Sequence, residues 1–421
     1  MDLSLFGQKF SQNAGILELM DDLGRAVESP GVTAMLGGGN PASIPEINRL
    51  WRRRLTEILA KDGDLEALVA QYDAPAGREG FRTAMAAFLS RNFGWPVGPQ
   101  NIVITGGSQS GFFLLFNLLA GEFSGGRRRH VLFPLAPEYV GYADQGLDPG
   151  QLVSHRPRVV EEEPPYFKYY VDFDDLSLGP EVGAVCAGRP TNPTGNVLTD
   201  DEVGHLASLA RQAGVPFLLD NAYGAPFPSI LFDPVQPYWD ENTVLSMSLS
   251  KLGLPSVRTG ILVAPEPLAR AVASANSILN LTNPGLGQAL VQPLLADDAL
   301  LTLSREVIRP FYARRRDFAL AAVASIFGDR FAYRIHRPQG SLFLWFWFPE
   351  LTIGSRELYR RLKDRGILVV LGDAFFFGLP AADEDWTHRR QCIRVHYARE
   401  PEEVESGLRA IADVVEQAGG R

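Results

Sequence analysis

Ser248-Leu249-Ser250-Lys251-Leu252-Gly253-Leu254-Pro255, followed by Arg258, is the stretch from which the rest of the chain is read. One lysine follows a Ser-x-Ser pair, and an arginine stands seven positions after it. A lysine amine condenses with an aldehyde, while hydroxyls and a guanidinium fork suit a dianionic phosphate. The set therefore points to a covalently held, phosphorylated aldehyde. A surface lysine and arginine in a serine-rich loop would look the same, so the neighbouring segments must decide.

Outward from this stretch, apolar runs alternate with amphipathic ones, the pattern of an α/β domain. Residues 101–105 read as a strand, Gly106-Gly107-Ser108-Gln109 as a turn, and 111–120 as a buried helix. The first-turn amides and dipole of such a helix favour an anion, and the glycines allow its close approach. Further strands are expected at 131–133, 182–186, 216–219, 244–247 and 260–264, with ligand groups in the loops that follow them. A long helix over 301–327 leads to a second set of strands within 340–348, 366–370 and 392–397. The fold class is thus α/β: a large domain with a mainly parallel sheet over about 46–306, and a smaller α+β domain built from 1–45 and 307–421.

The expected strand ends carry polar groups. Arg189-Pro190-Thr191-Asn192-Pro193-Thr194-Gly195-Asn196 is a turn whose prolines fix the backbone, leaving the Asn192 amide to point at a ligand. Leu218-Leu219-Asp220-Asn221-Ala222-Tyr223 ends an apolar strand in a carboxylate, with a phenol three positions later. An ionised Asp220 suits a protonated pyridine nitrogen, and Tyr223 suits a ring oxygen. The lysine followed closely by an arginine suggests pyridoxal 5′-phosphate (PLP), and these groups suit its ring. A helix-capping aspartate beside a packing tyrosine is the plainer alternative.

Composition excludes several classes. The 421 residues are 46% hydrophobic and 21% charged with a net charge of -9, which suits a globular chain large enough for two domains. Arg127-Arg128-Arg129 and Arg314-Arg315-Arg316 are isolated triplets that read as solvated faces, not a nucleic-acid surface. No run of about 18 apolar residues suggests a membrane span, and the first residues do not read as a leader. Cys186 and Cys392 lack metal or redox spacing and read as buried thiols. A cytoplasmic protein without metal is expected.

Taken in order, Gly107-Ser108-Gln109, Asn192-Pro193-Thr194-Gly195, Asp220-Asn221-Ala222-Tyr223, Ser248-Leu249-Ser250-Lys251 with Arg258, and Cys392-Ile393-Arg394-Val395 resemble the class I, fold-type I PLP-dependent aminotransferases along essentially the whole chain. Residues 36–41, 133–139 and 220–226 are most similar to the bacterial branch that exchanges valine and pyruvate. The resemblance implies that Lys251 holds the cofactor and then carries the substrate's α-proton. It implies that Gly107, Ser108, Gln109, Ser248 and Arg258 hold the phosphate, and that Tyr139 stacks on the ring. Asn192 and Tyr223 would meet the ring oxygen, Asp220 the ring nitrogen, and Gly39, Asn192 and Arg394 the substrate, with Arg394 forking its carboxylate. Tyr72 would reach the phosphate of a neighbouring subunit in a homodimer. Asn283-Pro284-Gly285 stands where the family often places another cross-subunit contact, but without a hydroxyl, so its role stays open.

The implied reaction is transamination between a small aliphatic amino acid (valine, alanine, 2-aminobutyrate) and a 2-oxo acid such as pyruvate or 2-oxoisovalerate. A PLP lyase or decarboxylase would use the same lysine and carboxylate, and another side-chain preference would use the same frame. A non-enzymatic PLP-binding regulator would need a DNA-reading module, for which the segment before Leu36 is too short. No second cation motif marks a dicarboxylate substrate, and Gly15-Ile16-Leu17 would cover the ligand with apolar surface.

Overall fold

A computed structural model describes residues 2–11, 33–383 and 385–419. In chain order the first strands are β1 (Ala34–Met35), β2 (Ile102–Thr105), β3 (Gly121–Phe123), β4 (Arg127–Phe133) and β5 (Leu152–Ser154). They are followed by β6 (Arg158–Glu161), β7 (Tyr166–Tyr170), β8 (Val182–Gly188), β9 (Phe217–Asp220), β10 (Thr243–Ser248) and β11 (Gly260–Val263). The last are β12 (Arg334–His336), β13 (Phe343–Trp347), β14 (Ile367–Leu368), β15 (Val370–Leu371) and β16 (Cys392–His396).

The central sheet runs β2-β11-β10-β9-β8-β4-β3, with β5 against β4. Strands β4, β8, β9 and β10 are mutually parallel, whereas β11 is antiparallel to both β10 and β2. Each buried strand reads as a continuous apolar run because both faces are covered. Ile102, Ile104, Leu219, Leu245 and Met247 enter one core, while Val103, Leu218, Val244 and Leu262 enter another. The two-residue period of a strand sends neighbours to opposite layers.

The second sheet runs β15-β16-β13-β12-β7-β6, and β1 pairs in parallel with β14. Strands β6 and β7, between β5 and β8 in the chain, pair with each other, and β7 joins β12 across a large sequence gap. The helix Pro401–Gln417 covers this region with Val404, Leu408, Ile411 and Val415, a helical stripe. The long helix expected over 301–327 is found, but in three parts: Ala299–Leu303, a π turn at Ser304–Ile308, and Arg309–Phe327. Pro310 lies just past the π turn, and its missing N–H leaves a gap in the regular ladder there.

Local signals fix the parts that flank the strand ends. The helix Asp200–Gln212 starts at a capping box in which the Glu202 N–H donates to Thr199 Oγ1 and the Thr199 N–H to Glu202 Oε2. The helix after β2 begins at Ser108, earlier than the expected 111, so Ser108 and Gln109 lie in its first turn.

Gly260 sits in register with Ser248 on one side and Thr105 on the other. A Cβ there would stand 2.5 Å from the Gly107 carbonyl carbon and 2.6 Å from the Ser108 nitrogen, both backbone atoms. Gly260→Ala should therefore destabilise the fold by about 1–3 kcal/mol, as overpacking does. A chemical-denaturation midpoint should fall with little change in slope. An unaltered midpoint would show that the helix start yields freely.

Candidate active site

The C-terminal ends of β8, β9 and β10 deliver Gly188, Asp220 and Ser248 to one cavity of about 480 Å³. A site at this edge of a parallel sheet follows from the loops that leave it. Of the sequence-based candidates, Ser108, Gln109, Tyr139, Asn192, Tyr223, Lys251, Arg258, Arg394 and Gly39 line the same cavity. Gly107 adjoins it under Arg258.

One end of the cavity is an anion seat. Gly107 precedes the helix Ser108–Leu119 at φ +95, and a Cβ on it would lie 2.2 Å from Arg258 Nη2. Only glycine leaves room for the guanidinium over that helix start. The first-turn N–H groups have no partner within the helix and are free for an anion. Gln109 spends its side-chain amide on the Gly141 carbonyl at 2.8 Å, which leaves its backbone N–H for that seat. Ser248 Oγ accepts the Ser250 N–H at 3.1 Å and so shapes the turn that carries Lys251.

On the floor, Asp220 accepts the Tyr142 hydroxyl at Oδ2 and the Ala222 N–H at Oδ1, the latter at 2.9 Å. Burial raises its carboxyl above the ordinary range; the Tyr142 and Ala222 bonds and the Lys251 charge pull against that rise. Tyr223 is buried and its phenol is pushed upward by desolvation, so it stays a donor at neutral pH.

Lys251 Nζ donates to the Gly39 carbonyl at 2.6 Å and lies 5.0 Å from the Tyr223 ring centre. Desolvation first, then the charges of Arg394 and Arg258, hold its amine down to about 8, against the pull of Asp220. Arg394 donates through Nη1 to Asn192 Oδ1 at 2.6 Å and through Nη2 to the Gly37 carbonyl at 2.7 Å. Its buried Nε has no partner. A carboxylate can take that N–H together with a remaining Nη proton, because a guanidinium offers five.

The structure does not bring Tyr72 to this cavity: it follows the helix Asp64–Val69 and is 82% exposed. Asn283 is buried and donates to the Ile104 carbonyl at 2.8 Å within its own chain. Gly15, Ile16 and Leu17 lie outside the described residues. Two cavity groups were not expected, Glu138 and Tyr142. Each had a trace in the sequence: a lone carboxylate between Pro137 and Tyr139 in an apolar stretch, and a second tyrosine three positions after the first.

Comparison with known proteins places the chain in a family. A model of the class I and II aminotransferases matches residues 158–411. The chain is 46% identical over 418 residues to the valine–pyruvate aminotransferase of Escherichia coli (strain K12), covering 99% of each. The crystal structure of a putative amino-acid aminotransferase from Psychrobacter arcticum 273-4 superposes with TM-score 0.95 at 40% identity, covering 100% of this chain and 99% of that one. That of valine-pyruvate aminotransferase from Salmonella typhimurium LT2 superposes with TM-score 0.88 at 43% identity, covering 96% and 99%.

An amine held near 8 is nucleophilic at a pH where an ordinary lysine is almost wholly protonated. In the cofactor-free protein, the rate of Lys251 capture by an aldehyde reagent should rise with pH and level off above about 8, not at the ordinary 10.5. Peptide-resolved labelling rates measure this. A rate still climbing at pH 10 would contradict the burial of Lys251 beside the two arginines.

Proposed function

The chain belongs to the class I and II aminotransferases, and on that premise we propose that it moves the amino group between a small aliphatic amino acid, valine foremost, and a 2-oxo acid such as pyruvate. It is a PLP-dependent enzyme of fold type I. One observation carries the substrate class. The cations lining the cavity among the described residues are Lys251, Arg258 and Arg394, and each is engaged by a role that every substrate shares. None remains for a distal carboxylate. The rest of the lining includes Met35, Val140 and Gly38, which suits a short apolar side chain. The 46% identity to the Escherichia coli valine–pyruvate aminotransferase over 99% of the chain supports the same reading.

The residues fit PLP. The Gly107 cradle, the first-turn amides, Ser248 and Arg258 would hold its phosphate, and Lys251 its aldehyde carbon. Tyr139 would cover the ring face, with Asn192 and Tyr223 at the ring oxygen and Asp220 at the ring nitrogen. When bound, the cofactor withdraws electrons from the substrate's α-carbon and so makes its proton removable. Arg394, through Nε and an Nη, fixes the α-carboxylate and with it the direction of the Cα–H bond. Lys251 Nζ, once displaced by the incoming amine, takes and returns that proton, a task suited to an amine near 8. Asp220 stays anionic because the Tyr142 hydroxyl and the Ala222 N–H both donate to it.

The reading extends to a homodimer with shared sites. Tyr72 is exposed and not engaged by its own cavity, and it adjoins exposed Val69. The neighbouring segment, tied to Pro75 by Asn276 and Asn283, exposes Ile278, Leu279 and Leu281. A division near residues 46 and 306 would assign the central sheet to the larger lobe, while β6 and β7 of that same segment extend the second sheet. No helix among the described residues is long and apolar enough to cross a membrane. Both cysteines are free and buried, which supports a cytoplasmic location.

Steady-state kinetics on valine, alanine, 2-aminobutyrate and aspartate test the assignment. The wild type should turn over the three aliphatic donors with differences of about 10 to 200-fold per methylene-scale change. Aspartate should lag, since its distal carboxylate would be buried unpaired. Arg394→Lys should lower kcat/KM for every aliphatic donor together, because an ammonium cannot replace the planar fork. Efficient aspartate turnover would overturn the aliphatic assignment, and loss of only one donor would remove Arg394 from the common carboxylate role.

A further inference from the structure

Glu138 is a carboxyl at the cavity wall that the roles assigned so far leave unused. It is 3% exposed and lies over Gly188, where a Cβ would stand 3.1 Å from its Oε1. Oε2 accepts the Gly188 N–H at 2.7 Å, and Oε1 the Tyr139 N–H at 3.2 Å. It thus ties the loop bearing Tyr139 to the end of β8. Gly188 is in register with Asp220 on β9, so two carboxyls occupy adjacent strand ends of one cavity.

Two buried carboxyls this near cannot both ionise cheaply. The surroundings decide which keeps the charge. Asp220 has a hydroxyl donor, a backbone donor and the attraction of Lys251. Glu138 has two backbone donors, feels the repulsion of Asp220, and has no cation among the groups that act on it. On its own loop and the next turn it is faced by Tyr139 and Tyr142, and on β8 by Cys186. Across the cavity Lys251 is spent on Gly39, and Arg394 on Asn192 and Gly37. Arg258 leans over Gly107 and donates to the Pro255 carbonyl, while the Tyr223 phenol stays neutral.

We propose that Glu138 is a positioning residue held as the neutral acid, so that Asp220 carries the negative charge of this carboxyl pair. Burial and the Asp220 charge raise its carboxyl to about 8, in keeping with that geometry. Ionisation above that pH places a second negative charge beside Asp220, where it repels the anionic groups that the cavity must admit. The link to rate rests on the aminotransferase reading. The state of the carboxyl does not, and it is read on the cofactor-free protein.

Infrared difference spectroscopy of the cofactor-free protein between pH 6 and 10 should show a neutral carboxylic acid band that disappears with a midpoint near pH 8. The band should be missing in Glu138→Gln and shifted in Glu138→Asp. In the holoenzyme, the ratio of wild-type to Glu138→Gln kcat/KM for valine should fall about tenfold per pH unit above pH 8, the slope of one ionisation. No such band in the wild type, or a band that survives in Glu138→Gln, would overturn the neutral acid. A band as expected with a pH-independent ratio would overturn its effect on the reaction. Absence of transamination with the band intact would instead count against the functional reading alone.

Discussion

The burial of Lys251 beside two guanidinium groups in one small cavity is the constraint on which the rest of the site depends. Burial first removes the water that would stabilise the protonated amine, and Arg394 and then Arg258 repel it. A drop from 10.5 to about 8 amounts to roughly 3 kcal/mol against the ammonium form. The same two cations that make the amine reactive are the seats for the two anions the chemistry must hold, a phosphate and a carboxylate. Asp220 limits the effect: without its charge the cavity would be uniformly positive. Arg394 itself is lowered by burial yet remains charged, as guanidinium groups do.

Such crowding is costly and persists only because rigid parts enforce it. Lys251 sits just past β10, Asp220 ends β9, and Arg394 lies within β16 of the other sheet, opposite Trp345 on β13. Ser248 and Thr105 flank Gly260 at one level of the central sheet, which places the lysine turn beside the helix start at Ser108. The two cores on the faces of that sheet hold the register, since a slip by one residue would exchange their contents. Asn192 links the two sheets through its bond to Arg394.

Much of this was legible in the chain because the site is built from strand ends, and a strand end with its following turn is contiguous in sequence. Lys251, Asp220, Asn192 and Arg394 each stand in a local pattern with a chemical reading, and they share one cavity. What escaped depends on pairing across distance. Strand β7, with β6 at its side, finds β12 through hydrogen bonds that no local period encodes, and two-residue β1 is too short to show a period before it meets β14. Tyr142 and Glu138 matter because of what lies opposite them, Asp220 and Gly188, on strands tens of residues away. The helix start at Ser108 was placed late because two glycines read as a turn, whereas the second of them is the residue that lets the helix begin under Arg258.

Lys168 gives the sharpest contrast with Lys251. It too is buried and lowered to about 8, yet its Nζ is fully engaged by Asn196 Oδ1 at 2.5 Å, Gln339 Oε1 at 2.6 Å and the Val197 carbonyl at 3.0 Å. A lowered amine is therefore not enough; it must also face the cavity. The most direct test of the account is borohydride reduction of the holoenzyme followed by peptide mapping. Cofactor fixed on the peptide containing Lys251, and on no other lysine, is the expected result. Attachment at Lys168 or any other lysine, or no covalent attachment at all, would contradict it.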